Sequence, residues 1–200
     1  AGAKKIITSC TGCYNTLKVW YPEYAGVDLP VVHSSEFIEE LIKAGDLKFT
    51  KGNPLKVTYH DPCHLGRLGE PYIHWEGIRD KYGRFVPPKK IRRGTKGIYE
   101  PPRNVLKSIP GVELVEMERI MENSWCCGAG GGVKAAFNDF ALWTATERLK
   151  EAKDTGANAI VSCCPFCKLN LRDAVKAGGE EIDVYDLMEC VLKAIEGGGD

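Results

Sequence analysis

Apolar residues along this chain come in short β-branched runs separated by stretches of helical period. Lys5–Ser9 reads as a buried strand, followed by Cys10-Thr11-Gly12-Cys13 and a helix to about Val19. Val31–Val32 reads as a second short strand. Ser34 or Ser35 is then placed to cap a helix over Glu36–Ala44, with Phe37, Leu41 and Ile42 on one face. Lys56–Tyr59 is a strand running into His60-Asp61-Pro62-Cys63-His64, and Val112–Met117 is a strand leading toward Cys126. The pattern predicts one long helix over Val133–Ala152, a strand at Ala159–Ser162 and a helix from Pro165 to about Val175. A last strand begins at Val184, and Leu187–Ile195 closes the chain as a helix. This alternation predicts an α/β fold with a mainly parallel sheet and flanking helices.

Two departures from that rhythm stand out. The stretch from about 69 to 102 lacks clean periodicity and is rich in Gly, Pro, Lys, Arg and aromatics. It reads as an insertion, either a partner-docking loop or a solvated one. The other departure is an internal repeat. Ile6–Cys13 matches Ala159–Cys167 in kind: a strand, a Cys-x-x-Cys, then a helix. A short strand and an amphipathic helix follow each at similar distance. The expected organisation is therefore 1–55 as the end of a first repeat and 56–200 as a second, complete one. In an α/β sheet the cysteines would sit at the carboxyl ends of strands, where loops converge.

Composition narrows the function. Lys+Arg and Asp+Glu balance at 27 each. No net field attracts nucleic acid, and none is expected as a partner. Apolar runs such as Ala157–Val161 are too short to cross a bilayer, and the first residues lack the apolar stretch of a signal peptide. The chain does not begin with Met and reads as a fragment or a processed product. Nine cysteines are the outlier. An odd number, gathered as Cys-Cys and Cys-x-x-Cys groups, suits a metal or redox site in a reducing, cytoplasmic setting better than a disulfide framework.

Cys10, Cys63 and Cys164 each follow a predicted strand, and Cys126-Cys127 precede the glycine run Gly128-Ala129-Gly130-Gly131-Gly132. Glycine permits positive φ and close backbone approach. The N–H groups of Gly128 and Gly130 would face an anionic group. Thiolates suit iron–sulfur clusters and zinc. A zinc set of Cys10/Cys13 with Cys164/Cys167 is one reading. Cys63, Cys126, Cys127, Cys164 and Cys167 together are more than one tetrahedral ion needs, and they suit a multi-iron cluster. His60 and His64 flank Cys63 and are candidates for proton delivery or for hydrogen bonds to the cofactor. Cys163 and Cys190 read as buried core thiols, and Trp125 as packing beside Cys126. Lys134 reads either as softening cluster charge or as part of a solvated helix face.

Tyr59–Arg67, Cys126–Gly132 and Cys164–Cys167 resemble the cysteine-rich "CCG" domain found in the D-type component of heterodisulfide reductases. They are especially similar to the K-type component of the membrane complex associated with dissimilatory sulfite reductase. Tyr99–Leu106 and Leu142–Arg148 look like that component too. Here the Cys63-to-Cys126 interval is longer than is typical, and Cys10-x-x-Cys13 has no upstream partners in this chain. The resemblance implies a noncubane [4Fe–4S] cluster held by the five cysteines, at which a disulfide or related sulfur substrate is reduced or formed. It also implies a ferredoxin-like cluster domain as electron donor or acceptor, other subunits of a membrane-associated or soluble redox complex, and a substrate that is a small disulfide or a persulfidated carrier protein. The alternatives are a non-catalytic electron-transfer module of a dehydrogenase complex and a zinc-stabilised scaffold.

Overall fold

A computed structural model describes residues 2–52 and 54–196; the last four residues of the second predicted repeat lie outside them. Four parallel strands form the central sheet in the order β6 (Val112–Leu114), β3 (Leu55–Tyr59), β7 (Ala159–Ser162), β8 (Asp183–Asp186). β7 is buried along its whole length, and its alternate residues feed two cores. Ala159, Val161 and Cys163 face a core shared with Val57, Tyr59, Leu106 and Leu187. Ile160 and Cys164 face the opposite core with Leu149, Leu171 and Ala174. Period-two alternation on a sheet covered on both sides requires this division. The helices α3 (Glu100–Ser108) and α7 (Leu187–Glu196) pack together on the first side, α5 (Asn138–Asp154) and α6 (Pro165–Gly178) on the second.

The two segments of the expected repeat have similar local geometry. β1 (Ile6–Thr8) pairs in parallel with β2 (Val31–His33), as β7 pairs with β8. β1 runs through Cys10 into α1 (Thr11–Asn15), and β7 runs through Cys164 into α6. α1 continues as a π-helical stretch, Thr16–Ala25, that ends on left-handed Gly26. The returning strand of each copy ends in the cap of the next helix. His33 Nδ1 accepts the Ser35 N–H at 3.2 Å while its own N–H donates to Glu36. Asp186 accepts the Met188 N–H at 2.9 Å while its own N–H donates to Glu189. Tyr14 and Val31 of the first copy lie in the same core as Val57 and Val161 of the second.

Five elements differ from their expected form. The cap of α2 (Ser34–Ala44) is His33, not a serine; both serines lie inside the first turn. The 133–152 helix is broken at Phe137 (φ −140°, ψ 63°) into α4 (Val133–Ala136) and α5. α4 can then line a cavity shared with Cys164 while α5 packs on α6, a bend that periodicity does not reveal. β6 stops at Leu114, three residues short of the expected Met117. α3 went unread because Pro101 and Pro102 mask a start; both sit in its first turn, where proline is tolerated. Before α3 begins at Glu100, the aperiodic stretch contains only a small hairpin, β4 (Ile78–Arg79) with β5 (Phe85–Val86). It is tied down by Glu70, whose carboxylate accepts from the Gly94 and Lys96 N–H groups.

His33 makes stability depend on pH. Its ring is fully buried, and burial lowers its pKa to about 4. The unfolded chain takes up this proton near pH 6.5 while the folded one resists it, so this contribution is complete above pH 6.5 and is lost as pH falls toward 4. The expected loss is ~2–3 kcal/mol. His33→Asn keeps a capping acceptor and should flatten the unfolding free energy by that amount between pH 7 and 4, measured by denaturant titration.

Candidate metal centre

Five cysteines from three separated segments meet at the carboxyl end of the central sheet. Cys63 follows β3 through His60-Asp61-Pro62, and Cys164 and Cys167 span the β7–α6 junction. Cys126 and Cys127 stand at the head of the glycine run. Thiol contacts link them in the order Cys63, Cys126, Cys127, Cys167, Cys164. Cys127, Cys164 and Cys167 are buried; Cys63 and Cys126 are half-buried. Strand register separates the adjacent Cys163 and Cys164. Cys163 turns to the other core, where the Tyr59 hydroxyl lies 2.9 Å from its sulfur. Cys190 is also a buried core thiol, its pKa pushed up to about 12 by burial.

The thiols do not share charge evenly. Contacts from Cys127 and Cys63, with the Gly128 N–H at 3.3 Å, drive the Cys126 thiol far below the usual range and push Cys63 up. At the other end Cys164 falls to about 6, through Cys167, the Thr11 hydroxyl at 3.0 Å and the N–H groups of Cys167 and Phe166. Thiolates are the species that bind metals. Donors gathered around them mark a seat for an anionic group.

Gly128 is indispensable to this geometry. Its φ is +85°, and a Cβ there would lie 2.7 Å from the Ala141 carbonyl oxygen. Gly130 is under no such constraint; a Cβ there would meet only the His64 ring, at 3.7 Å. Asn170 secures the loop from beneath, donating to the carbonyls of Cys127 at 2.6 Å and Ala141 at 2.9 Å. Lys134 is part-buried, and its ammonium is bonded to Asn170 at 2.8 Å and to Asp173 at 2.7 Å and not to a thiol. Sequence reasoning missed Asn170 and Thr11, polar residues that only folding brings to the thiols.

The two histidines differ. His60 is buried, and its ring lies with the sulfurs of Cys127 and Cys167 within 4.8 Å. Its Nδ1 accepts from Arg148 Nε at 3.2 Å. Because arginine only donates, the neutral ring must carry its proton on Nε2. That N–H is buried with no partner. Burial and the Arg148 charge hold the His60 pKa down at about 3. His64 Nδ1 is 3.5 Å from the Cys63 sulfur. Its ring lines a cavity of about 470 Å³ with Thr11, the glycines 130–132, Cys164 and Phe166. Trp125 is more open than expected, 43% exposed beneath the Arg119 guanidinium at 4.1 Å.

An iron–sulfur cluster fits this donor set better than zinc. Among the described residues the convergent ligand group is His60, Cys127 and Cys167, and the other thiols extend it into an arc. Four thiolates around a single ion would be close neighbours of one another. Cys10 and Cys13 are not in the arc: they contact each other, with Cys13 exposed. The zinc set of Cys10/Cys13 with Cys164/Cys167 is thus not assembled. The buried His60 N–H lacks a partner, on a ring with a nitrogen near the sulfurs of Cys127 and Cys167, and such a donor is the kind that cluster sulfurs accept.

A fold that gathers cysteines in this way defines a cysteine-rich domain, and residues 88–172 match the family described as "CCG: Cysteine-rich domain". Over 97% of its length the chain is similar to the D component of the dihydromethanophenazine:CoB–CoM heterodisulfide reductase of Methanosarcina acetivorans, at 43% identity. It is 35% identical, over 95% of its length, to the B component of the fumarate reductase (CoM/CoB) of Methanothermobacter marburgensis. It is 33% identical, over 97%, to a probable iron-sulfur-binding oxidoreductase of Bacillus subtilis. The chain spans 41%, 32% and 24% of these relatives' own lengths. No described helix is long and apolar enough to cross a membrane.

Proposed function

We propose that this chain is the iron–sulfur redox domain of a heterodisulfide reductase-like complex, in which Cys63, Cys126, Cys127, Cys164 and Cys167 hold a noncubane [4Fe–4S] cluster where a disulfide or related sulfur substrate is reduced or formed. The observation that carries it is the arc of five thiols beside an open cavity, in a chain similar to the D component of a heterodisulfide reductase. When bound, such a cluster supplies single electrons and sulfur-binding iron to a two-electron S–S reaction.

The protein's residues supply the rest. Arg148 fixes the His60 tautomer, and His60 presents an N–H that stays neutral through the physiological range. His64 faces the cavity and is the group placed to hold a proton for a leaving thiolate. Phe166 and the glycine backbone wall the cavity, and its apolar lining limits water. The direction of reaction follows the partners' potentials.

Partner subunits, including a ferredoxin-like cluster domain, exchange the electrons, and a small disulfide or a carrier-protein persulfide brings the substrate. The aperiodic stretch suits such docking: between Gly69 and Tyr99 it carries eight Lys/Arg against three Asp/Glu in a chain of zero net charge. The complex is cytoplasmic, associating with a membrane through its partners.

The test is metal and sulfide analysis of anaerobically purified protein, with electron paramagnetic resonance before and after thiol addition. About four irons and four sulfides at this site, with a signal that changes on thiol binding, is expected. Zinc without iron, even after anaerobic reconstitution, would refute the assignment.

A further inference from the structure

The first repeat contributes a residue to the second repeat's centre, and that residue is Thr11. The two Cys-x-x-Cys turns are structural counterparts, so Thr11 occupies the place of Pro165, directly after the leading cysteine of its copy. Pro165 has no hydroxyl and serves to begin α6. Thr11 is buried, 1% exposed, and its Oγ1 donates to Cys164 Sγ at 3.0 Å across 153 residues of sequence.

Three features make this a fixed contact. A threonine χ1 is stiff because two heavy atoms branch at Cβ. Four residues on, Asn15 donates to the Leu68 carbonyl at 2.6 Å and so ties α1 to the segment following Cys63. Tyr14, on the same turn, is buried in the core shared by both repeats. Thr11 also lines the cavity together with Cys164. Its hydroxyl thus sits where the ligand sulfur meets the substrate space.

We infer that Thr11 is a positioning residue that sets the reduction potential of the cofactor by donating a hydrogen bond to the ligand sulfur of Cys164. The inference rests on the iron–sulfur reading above. A donor to a ligand thiolate withdraws charge from sulfur and so favours the more reduced state. Removing it makes the cofactor harder to reduce. The first repeat, whose Cys10 and Cys13 lie outside the arc, then acts on the centre through Thr11, one of the two residues between them.

The experiment is a redox titration followed by electron paramagnetic resonance, in the whole protein purified anaerobically with its partners. Thr11→Val keeps the side-chain shape and deletes the hydroxyl, Thr11→Ala deletes it with less bulk, and Thr11→Ser retains it. Val and Ala should shift the one-electron equilibrium about tenfold toward the oxidised state, a midpoint lower by about 59 mV. Ser should stay near the parent. If Val retains no iron, Ala reads the same quantity. A residue that only filled space would leave the Val midpoint where it was. Unchanged midpoints with full iron and sulfide would overturn the role of Thr11 while leaving the cluster standing. Absence of iron from the parent protein would overturn the cluster reading itself.

Discussion

Cys164→Ser should strip the site of its iron, while Cys163→Ser, one residue away, should leave it in place. The two thiols are adjacent in sequence and lie on opposite sides of one sheet. Cys164 continues the Ile160 side of β7 and meets Cys167; Cys163 continues the Ala159 and Val161 side and meets the Tyr59 hydroxyl. A serine at 164 replaces a soft thiolate by a hydroxyl that stays protonated at neutral pH, and soft iron sites discriminate against it. Iron should fall from about four per site to below about one on anaerobic purification. A serine at 163 costs at most ~1–2 kcal/mol of folding stability, through a polar group exchanged at a buried contact. Iron and sulfide assays on both variants read the difference. Retention of iron by Cys164→Ser with loss from Cys163→Ser would mean that the strand register is wrong.

Asp61→Ala should destabilise the fold by ~3 kcal/mol, because it removes the fully buried one of the two carboxylates that pair with a buried arginine. Asp61 lies between His60 and the Pro62-Cys63 step. Its carboxylate takes both Nη atoms of Arg103, at 2.7 and 2.8 Å, and both side chains are only 2% exposed. Arg103 also bonds Glu116, which is one-third exposed and does not replace the lost charge at depth. Asp61 has a second duty: it accepts the N–H of Met121 at 2.8 Å. Met121 has a φ of 55°, the one non-glycine left-handed residue among those described. Such a conformation costs ~1–3 kcal/mol and persists only where neighbours hold it. Releasing it loosens the Cys63 turn and the connection to Cys126 together, so the variant should lose iron as well as stability. Denaturant unfolding under anaerobic conditions measures the first effect and iron content the second. A double change of Asp61 and Arg103 to apolar residues should recover part of the stability.

Much of this protein was legible before any coordinates. Strand–helix alternation and the adjacency of Cys-x-x-Cys to strand ends dictate an α/β layer with thiols along one edge, because side-chain period and chain direction are local properties. The repeat is a reading of the same kind, a strand, a Cys-x-x-Cys and a helix recurring in the pattern. The cysteines stand out by their grouping, which suits a metal or redox site better than a disulfide framework.

Tertiary structure decided what depends on distant residues meeting. The capping role of His33 and the break at Phe137 each trade local propensity for packing elsewhere. No pattern in the chain separates His60 from His64. The first is locked by Arg148, 88 residues away, and the second is open to the cavity. Nor could any local reading place the Thr11 hydroxyl on Cys164. A side chain's chemistry at a centre of this kind is set by what surrounds it, and those surroundings exist only once the two repeats have closed on a common core.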